Sequence, residues 1–238
     1  MKNIYTCSLS LFNKVPGAPF TYWAPSCFYN LYDGLNIGNI SEVITGMTIG
    51  NNNKYLRLWY EIDFHSIPLG YDSFEEINLR QQSWIPYSKG GKHYNWYGGY
   101  DYVVNWLEKD NFNRSKTTLK RLYLKEAITW PFISTERLTA KLLPKGFLWD
   151  VAGSPCFFNS NTNEKYVLSF LISKVSSYIL DFVNPTINVQ AIDIAQLPFV
   201  DSNLKNNVEY FANENISLSK KDWDSFETSW DFKKHPLI

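Results

Sequence analysis

Apolar and polar positions alternate in short runs over most of the chain, and only late do they settle into helical spacing. Residues 55–62 (YLRLWYEI) change character with a period near two and predict a strand. Residues 84–87 predict a second strand, running into a loop at Ser88-Lys89-Gly90-Gly91-Lys92, and residues 102–106 a third. Residues 127–130 predict a strand closed by Pro131, and residues 147–151 one stopped by Gly153. Pro16, Gly17, Pro19 and Pro25 make residues 1–30 a turn leading into a short apolar segment without a helix. Gly38, Gly46, Gly50 and the run Asn51-Asn52-Asn53 predict turns over residues 34–53.

Helices are predicted at four places. Residues 115–125 form a basic candidate with Lys116, Lys120 and Arg121 near one face. Residues 164–183 form the strongest, with Val167, Leu168, Leu171, Val175, Tyr178, Ile179 and Phe182 on one stripe. Asn161 and Glu164 stand at capping-box spacing before it, and Asn184-Pro185 ends it. Residues 204–213 predict another helix, and Ser219 with Asp222 starts a further one. Many short strands followed by late helices give an α+β class: one main domain over residues 1–200 and a helical tail over 201–238.

Composition changes this picture in one respect. Of 238 residues 17% are aromatic, including 9 Trp and 16 Tyr, more than a core requires. The surplus suits a recognition surface, while Trp96, Trp106, Trp130 and Trp149 read as core. Charge balances at 23 basic and 23 acidic side chains, which excludes a generally basic coat protein. The balance is not local: residues 111–145 hold eight basic side chains against Glu126 and Glu136, and the two ends are acidic. Such a block suits phosphate binding, or simply a solvated face. Cys7, Cys27 and Cys156 have no metal-type spacing and are too few for a disulfide framework, the start has no signal-like run, and no apolar stretch reaches membrane-spanning length. These features lead to the expectation of a cytoplasmic chain without a metal.

Catalytic motifs are missing. No GxSxG, HExxH, P-loop or dinucleotide fingerprint occurs, and of His65, His93 and His235 only His93, in a Gly/Lys/Tyr loop, draws attention. Adenine amino-methyltransferases hold the flipped base with an Asn/Asp-Pro-Pro-aromatic tetrapeptide. Asn184-Pro185-Thr186-Ile187 shares only its first two letters and reads as a helix stop. Catalytic residues are therefore expected to be absent, as is a site for S-adenosylmethionine.

Five stretches in order resemble the target-recognition region of the PglX family, adenine-specific DNA methyltransferases of the bacteriophage-exclusion (BREX) systems. They are residues 15–23 (VPGAPFTYW), 46–59 (GMTIGNNNKYLRLW), 86–91 with 96–98 and 102–106 (PYSKGG, WYG, YVVNW), 145–154 (KGFLWDVAGS), and the series FLISKV, NPTINVQ and DIAQLP between residues 170 and 198. The tail KKDWDSFETSWDF over residues 220–232 also resembles this family, and the whole is similar, more loosely, to recognition regions of fused type II restriction–modification enzymes. Ile49, Asn51, Tyr94 and Asn95 depart from the family pattern.

The resemblance implies a DNA-reading module that positions a methyltransferase over one adenine. The methyltransferase domain, which uses S-adenosylmethionine, would lie elsewhere in cis or in trans, with double-stranded DNA and other BREX subunits as partners. Basic side chains would hold phosphate while loop polar groups read base edges. The residues expected to face DNA are Lys89, Lys92, Asn95, Tyr97, Arg114, Lys116, Lys120 and Arg121, with Asn95 suited to adenine and an Arg to guanine. Gly90-Gly91 and Gly98 are expected to let the loop approach a groove closely. The rival expectations are a protein-interaction module, whose surplus aromatics dock another defence subunit, and a small intact enzyme.

Overall fold

The computed structural model describes residues 6–159 and 163–238 and is α+β. Its strands are β1 (Leu35–Asn36), β2 (Ser41–Val43), β3 (Leu56–Leu58), β4 (Trp84–Ser88), β5 (Tyr102–Asn105), β6 (Ala127–Thr129), β7 (Lys141–Leu143), β8 (Leu148–Trp149), β9 (Pro155–Phe158) and β10 (Pro198–Phe199). Its α-helices are α1 (Leu9–Phe12), α2 (Ser26–Asn30), α3 (Ile37–Ile40), α4 (Asn52–Tyr55), α5 (Glu164–Leu171), α6 (Lys174–Val183), α7 (Ala191–Ala195) and α8 (Lys205–Trp223).

Two four-stranded sheets carry the fold. One has the order β2-β9-β6-β7 and is antiparallel; the other has the order β3-β5-β4-β8, with β8 parallel to β4. A two-stranded ribbon pairs β1 with β10. The β3-β5-β4-β8 sheet supports an aromatic cluster in which Trp106 stacks on Phe74 at 5.3 Å, and Tyr123 meets both Trp106 and Trp149 edge-on. The other sheet faces α5, α6 and α7 across a second cluster around Trp130, Leu168, Ile179 and Ile194. Trp106, Trp130 and Trp149 are core, as expected, and Trp96 is half-buried against the second cluster.

The two sheets meet at Asp150, which is 2% exposed. One carboxylate oxygen accepts hydrogen bonds from Tyr87 Oη at 2.9 Å and Lys89 Nζ at 2.7 Å, and the other from the Ala152 amide at 2.9 Å. The Asp150 amide donates to Ser88 O, and the next amide, Val151, to Met47 O. Thr129 Oγ1 on β6 donates to Gly153 O, which ties the turn to the second sheet.

Several local expectations are corrected. Residues 55–62 give a strand of only three residues, because Asn51 caps α4 by accepting from the Lys54 amide and Glu61 closes a 3-10 turn through the Leu58 amide. The proline-rich start contains two short helices, α1 and α2. Residues 115–125 are no α-helix. Lys116 is left-handed (φ 56°), and Thr117–Leu122 is 3-10 with a kink at Leu119 that seats Leu122 in the core, so Lys116 and Lys120 do not share a helical face. The long helix over 164–183 is two helices bent by 70°. Ser173 caps α6 through the Ser176 amide, and Ser176 Oγ donates to Leu171 O, which turns the chain without proline. The buried face is thereby re-registered to Ser176, Ile179, Leu180 and Phe182, leaving Val175 and Tyr178 exposed. The Asn161 cap lies outside the described residues. The helices expected at 204–213 and from Ser219 are one, α8. No Gly or Pro interrupts it, and Ala212 and Ile216 hold it to the body.

A buried lysine fixes the loop between β4 and β5. Lys141 Nζ donates to Gly98 O and lies 4.2 Å from the Tyr100 ring centroid and 5.5 Å from that of Tyr94. Main-chain bonds from Trp96 N to Ala140 O and from Leu142 N to Trp96 O stitch the loop to β7, and Trp96 takes a left-handed φ of 69°. Burial lowers the Lys141 pKa to about 7; Asp101 opposes the shift and Lys92 adds to it.

Two predictions follow from these contacts. A Cβ on Gly90 (φ 74°) would lie 2.2 Å from Ala152 O, whereas one on Gly91 (φ 81°) would meet open space. Gly91→Ala should cost about 1 kcal/mol from backbone strain, and Gly90→Ala about 3 kcal/mol or more in urea unfolding. Gly90 thus serves close packing on the protein's own Ala152–Gly153 turn. For Lys141 the unfolded chain binds more protons than the fold between pH 7 and 10.5, so its contribution to stability rises with pH in that window. The stability difference between the native chain and Lys141→Met should shift toward the native chain by at most about 1.4 kcal/mol per pH unit there, and stay flat below pH 7.

Candidate nucleic-acid interface

The eight residues expected to face DNA fall into three groups. Lys89 lines a polar cleft of about 500 Å³ between the α4–β3 corner and the end of β4, with Asn52, Asn53, Arg57, Glu61 and Tyr102. Its ammonium is held at 2.7 Å by the buried Asp150 carboxylate. Lys92 ion-pairs with the buried Asp101; burial works against its charge, but the carboxylate outweighs that and raises its pKa. Both cations are therefore locally compensated.

Asn95 and Tyr97 sit on the stitched loop. Asn95 is exposed, and its Oδ1 accepts from the Ala140 amide at 3.4 Å, while no hydrogen bond from Nδ2 is formed among the described residues. Tyr97 is half-buried, edge-on to Tyr100 at 5.1 Å, and Lys220 of α8 lies 5.2 Å from its ring centroid. Tyr94, Asn95 and Tyr97 together with Asp222, Trp223 and Phe226 border a cleft of about 540 Å³. The tail is thus part of this region: Trp223 meets Tyr94 edge-on, and Trp59 Nε1 donates to Thr228 O.

The basic block is partly neutralised. Arg121 ion-pairs with Glu42, Lys125 and Lys145 lie 3.7 and 3.6 Å from Asp72, and Lys141 is buried. Lys120 and Arg121 border a cleft with Asp72 and Glu75. Arg114, Lys116, Lys120 and Arg137 form no ion pair among the described residues. Arg114 is exposed, donates to Thr48 Oγ1 at 3.3 Å, and pairs through its backbone with Thr48. The chain then runs from Thr48 through Gly50 into α4, which links Arg114 to the Arg57 cleft.

Sequence reasoning did not single out Asn52, Asn53 and Arg57. Arg57 Nη1 donates to the Asn53 and Leu56 carbonyls at 2.7 and 2.6 Å, and the guanidinium has no ion pair among the described residues. The available signal was the polar run Asn51-Asn52-Asn53 before a basic residue inside an otherwise apolar strand.

Catalytic chemistry does not assemble around the methyltransferase-like tetrapeptide. Asn184 Nδ2 donates to Asn188 O and Asp193 Oδ2, both at 2.7 Å, while its Oδ1 accepts from the Thr186 amide and hydroxyl. The side chain is consumed by its own turn. A Gly-rich cradle for S-adenosylmethionine is not formed by the glycine pairs either: Gly90 packs on Ala152, and Gly99 on Tyr94. Among the described residues no His/Cys/Asp/Glu group suits a metal ion, and no single helix is long and apolar enough to cross a membrane.

No protein-family model matches the chain. It is 34% identical over 99% of its length to the adenine-specific methyltransferase PglX of Lacticaseibacillus casei (strain Zhang). It is 32% identical over 95% of its length to the adenine-specific methyltransferase BrxX of Escherichia coli O9:H4 (strain HS). The chain spans about one fifth of the length of these curated relatives, 20% and 18% respectively. Over nearly its whole length, the chain is similar to one segment of the adenine-specific methyltransferases PglX and BrxX.

Proposed function

We propose that the chain is a duplex-DNA recognition module of a BREX adenine-specific methyltransferase, acting in cis or in trans with a catalytic part that binds S-adenosylmethionine. The observation that carries this reading is the near full-length similarity to adenine-specific methyltransferases in a chain whose own Asn-Pro turn is sequestered. The cation arrangement supports it. Arg57 and Arg114 flank the α4 corner without carboxylate partners, beside the exposed amides of Asn52 and Asn53.

The roles divide by chemistry. Arg114, Lys116 and Lys120 contact phosphate, and Arg57 with Asn52 and Asn53 reads base edges, for which guanidinium and carboxamide groups are suited. Lys89 and Lys92, neutralised by Asp150 and Asp101, shape the cleft and contribute less to affinity. Asn95 offers one amide edge to a base, Tyr97 supports that loop from beneath, and Arg121 stays bound to Glu42.

Fluorescence anisotropy with labelled duplex tests the assignment. Binding should weaken as a power of salt concentration, with a log–log slope of about 0.9 per phosphate contact. Arg114→Ala/Lys116→Ala should lower that slope by about 1.8 and weaken binding about tenfold at low salt. Lys125→Ala/Lys145→Ala, which removes cations already paired with Asp72, should change affinity less than threefold. Unchanged slope in the first variant, with an unchanged circular-dichroism spectrum, would contradict the proposal.

A further inference from the structure

Among the described residues, one face of α8 is left without a partner. Its inner face is closed: Ala212 is fully buried, and Ile216 packs on the second core cluster. Along one flank stand Phe211 and Leu218, 62% and 64% exposed, in line with Leu204, 59% exposed, at the cap that precedes the helix. They are seven residues apart, so a helix of 3.6 residues per turn stacks them within about 40° of one line, roughly 10 Å apart. Isolated exposed apolar residues are ordinary, but a seam at heptad spacing has the geometry of a helix–helix contact.

The seam continues at both ends. Near the start of α8, Val208 borders an apolar cavity of about 430 Å³ with Phe170, Val175, Phe199 and Val200. Near its end, Leu218 joins Tyr94, Trp223 and Phe226 around the cleft of about 540 Å³. DNA is a poor occupant, since residues 193–238 carry eight acidic and five basic side chains.

We propose that this flank is the docking surface for an amphipathic α-helix from the remainder of a methyltransferase polypeptide. The curated relatives are about five times the length of this chain, so about four fifths of such a polypeptide lies outside the matched segment and is available to cover the seam. The seam and its two end cavities accept a helix of at least four turns, given that α8 runs for 19 residues, about 28 Å. The inference rests on the methyltransferase reading, but not on DNA contact.

Cysteine footprinting tests it without DNA. Cys7 and Cys27 are first replaced by Ser, and single cysteines are placed at Phe211, Leu218, Asn213 and Ala212. Each is measured in the 238-residue chain and in full-length Lacticaseibacillus casei PglX whose matched segment is replaced by this chain. Ala212→Cys should be protected in both proteins, which reports that the segment is folded. Phe211→Cys and Leu218→Cys should react with maleimide at least tenfold more slowly in the full-length protein, while Asn213→Cys on the opposite flank keeps its rate. Equal rates at Phe211 and Leu218, with Ala212→Cys protected, would overturn the proposal. Light scattering of the 238-residue chain supplies the second measurement, which holds even where the full-length chimera does not fold. A monomer is expected; a dimer abolished by Phe211→Asp/Leu218→Asp would make a second copy the occupant and also overturn it. Loss of duplex binding in the earlier assay leaves these results untouched, so the two readings fail separately.

Discussion

The buried carboxylate of Asp150 is the constraint on which the architecture depends. A charge this deeply buried is tolerated only where donors replace its water. Tyr87, Lys89 and the Ala152 amide do so, and each comes with a requirement. Tyr87 fixes the end of β4, Ala152 fixes the turn toward β9, and Lys89 brings the glycine loop over that turn. Gly90 then packs against Ala152 so closely that a side chain has no room. The junction of the two sheets and the shape of the candidate cleft are therefore one problem with one solution. The lysine that sequence reasoning gave to DNA is largely occupied in solving it.

What the sequence revealed follows the same logic. Strands β4, β5 and β6 were legible because their apolar runs are bounded by clear breakers, Gly90-Gly91 and Pro131 among them. The break between α5 and α6 was hidden, since an unbroken apolar stripe conceals a serine cap that competes with helix continuation only when Ser176 finds Leu171 O. The basic helix failed for a different reason. Lys116 and Leu124 adopt left-handed backbone so that Leu122 and Tyr123 reach the aromatic core, and tertiary packing overrides the spacing of the charges. Of the candidate interface, the charged members were legible as residue types. Their partners were not: Glu42, Asp72, Asp101 and Asp150 come from distant parts of the chain and decide which cations remain free.

Two populations stand out within the aromatic surplus. Trp106, Tyr123, Trp149 and Phe157 pack against one another in the first core, where edge-on ring contacts fill space between short strands. Short strands offer few ladder hydrogen bonds, so large side chains carry much of the cohesion. The second population, Phe211 and Phe226 among them, lies on or beside α8, exposed in this chain. The free cations and the apolar seam thus lie on different elements, the α4 corner with Arg57 and Arg114 on one hand and the flank of α8 on the other, while Asn95 and Leu218 border one cleft. The tail links them physically, because Trp223 rests on Tyr94 while Trp230 and the Thr228 carbonyl meet Trp59, the residue that follows β3.

Hydrogen–deuterium exchange with and without a target-length DNA duplex probes the central claim most directly, because it locates contact without altering a side chain. The account predicts slowed exchange over residues 48–58 and 112–118, reversed by raising the salt concentration. No protection in those segments, at a duplex concentration that saturates binding, would contradict it.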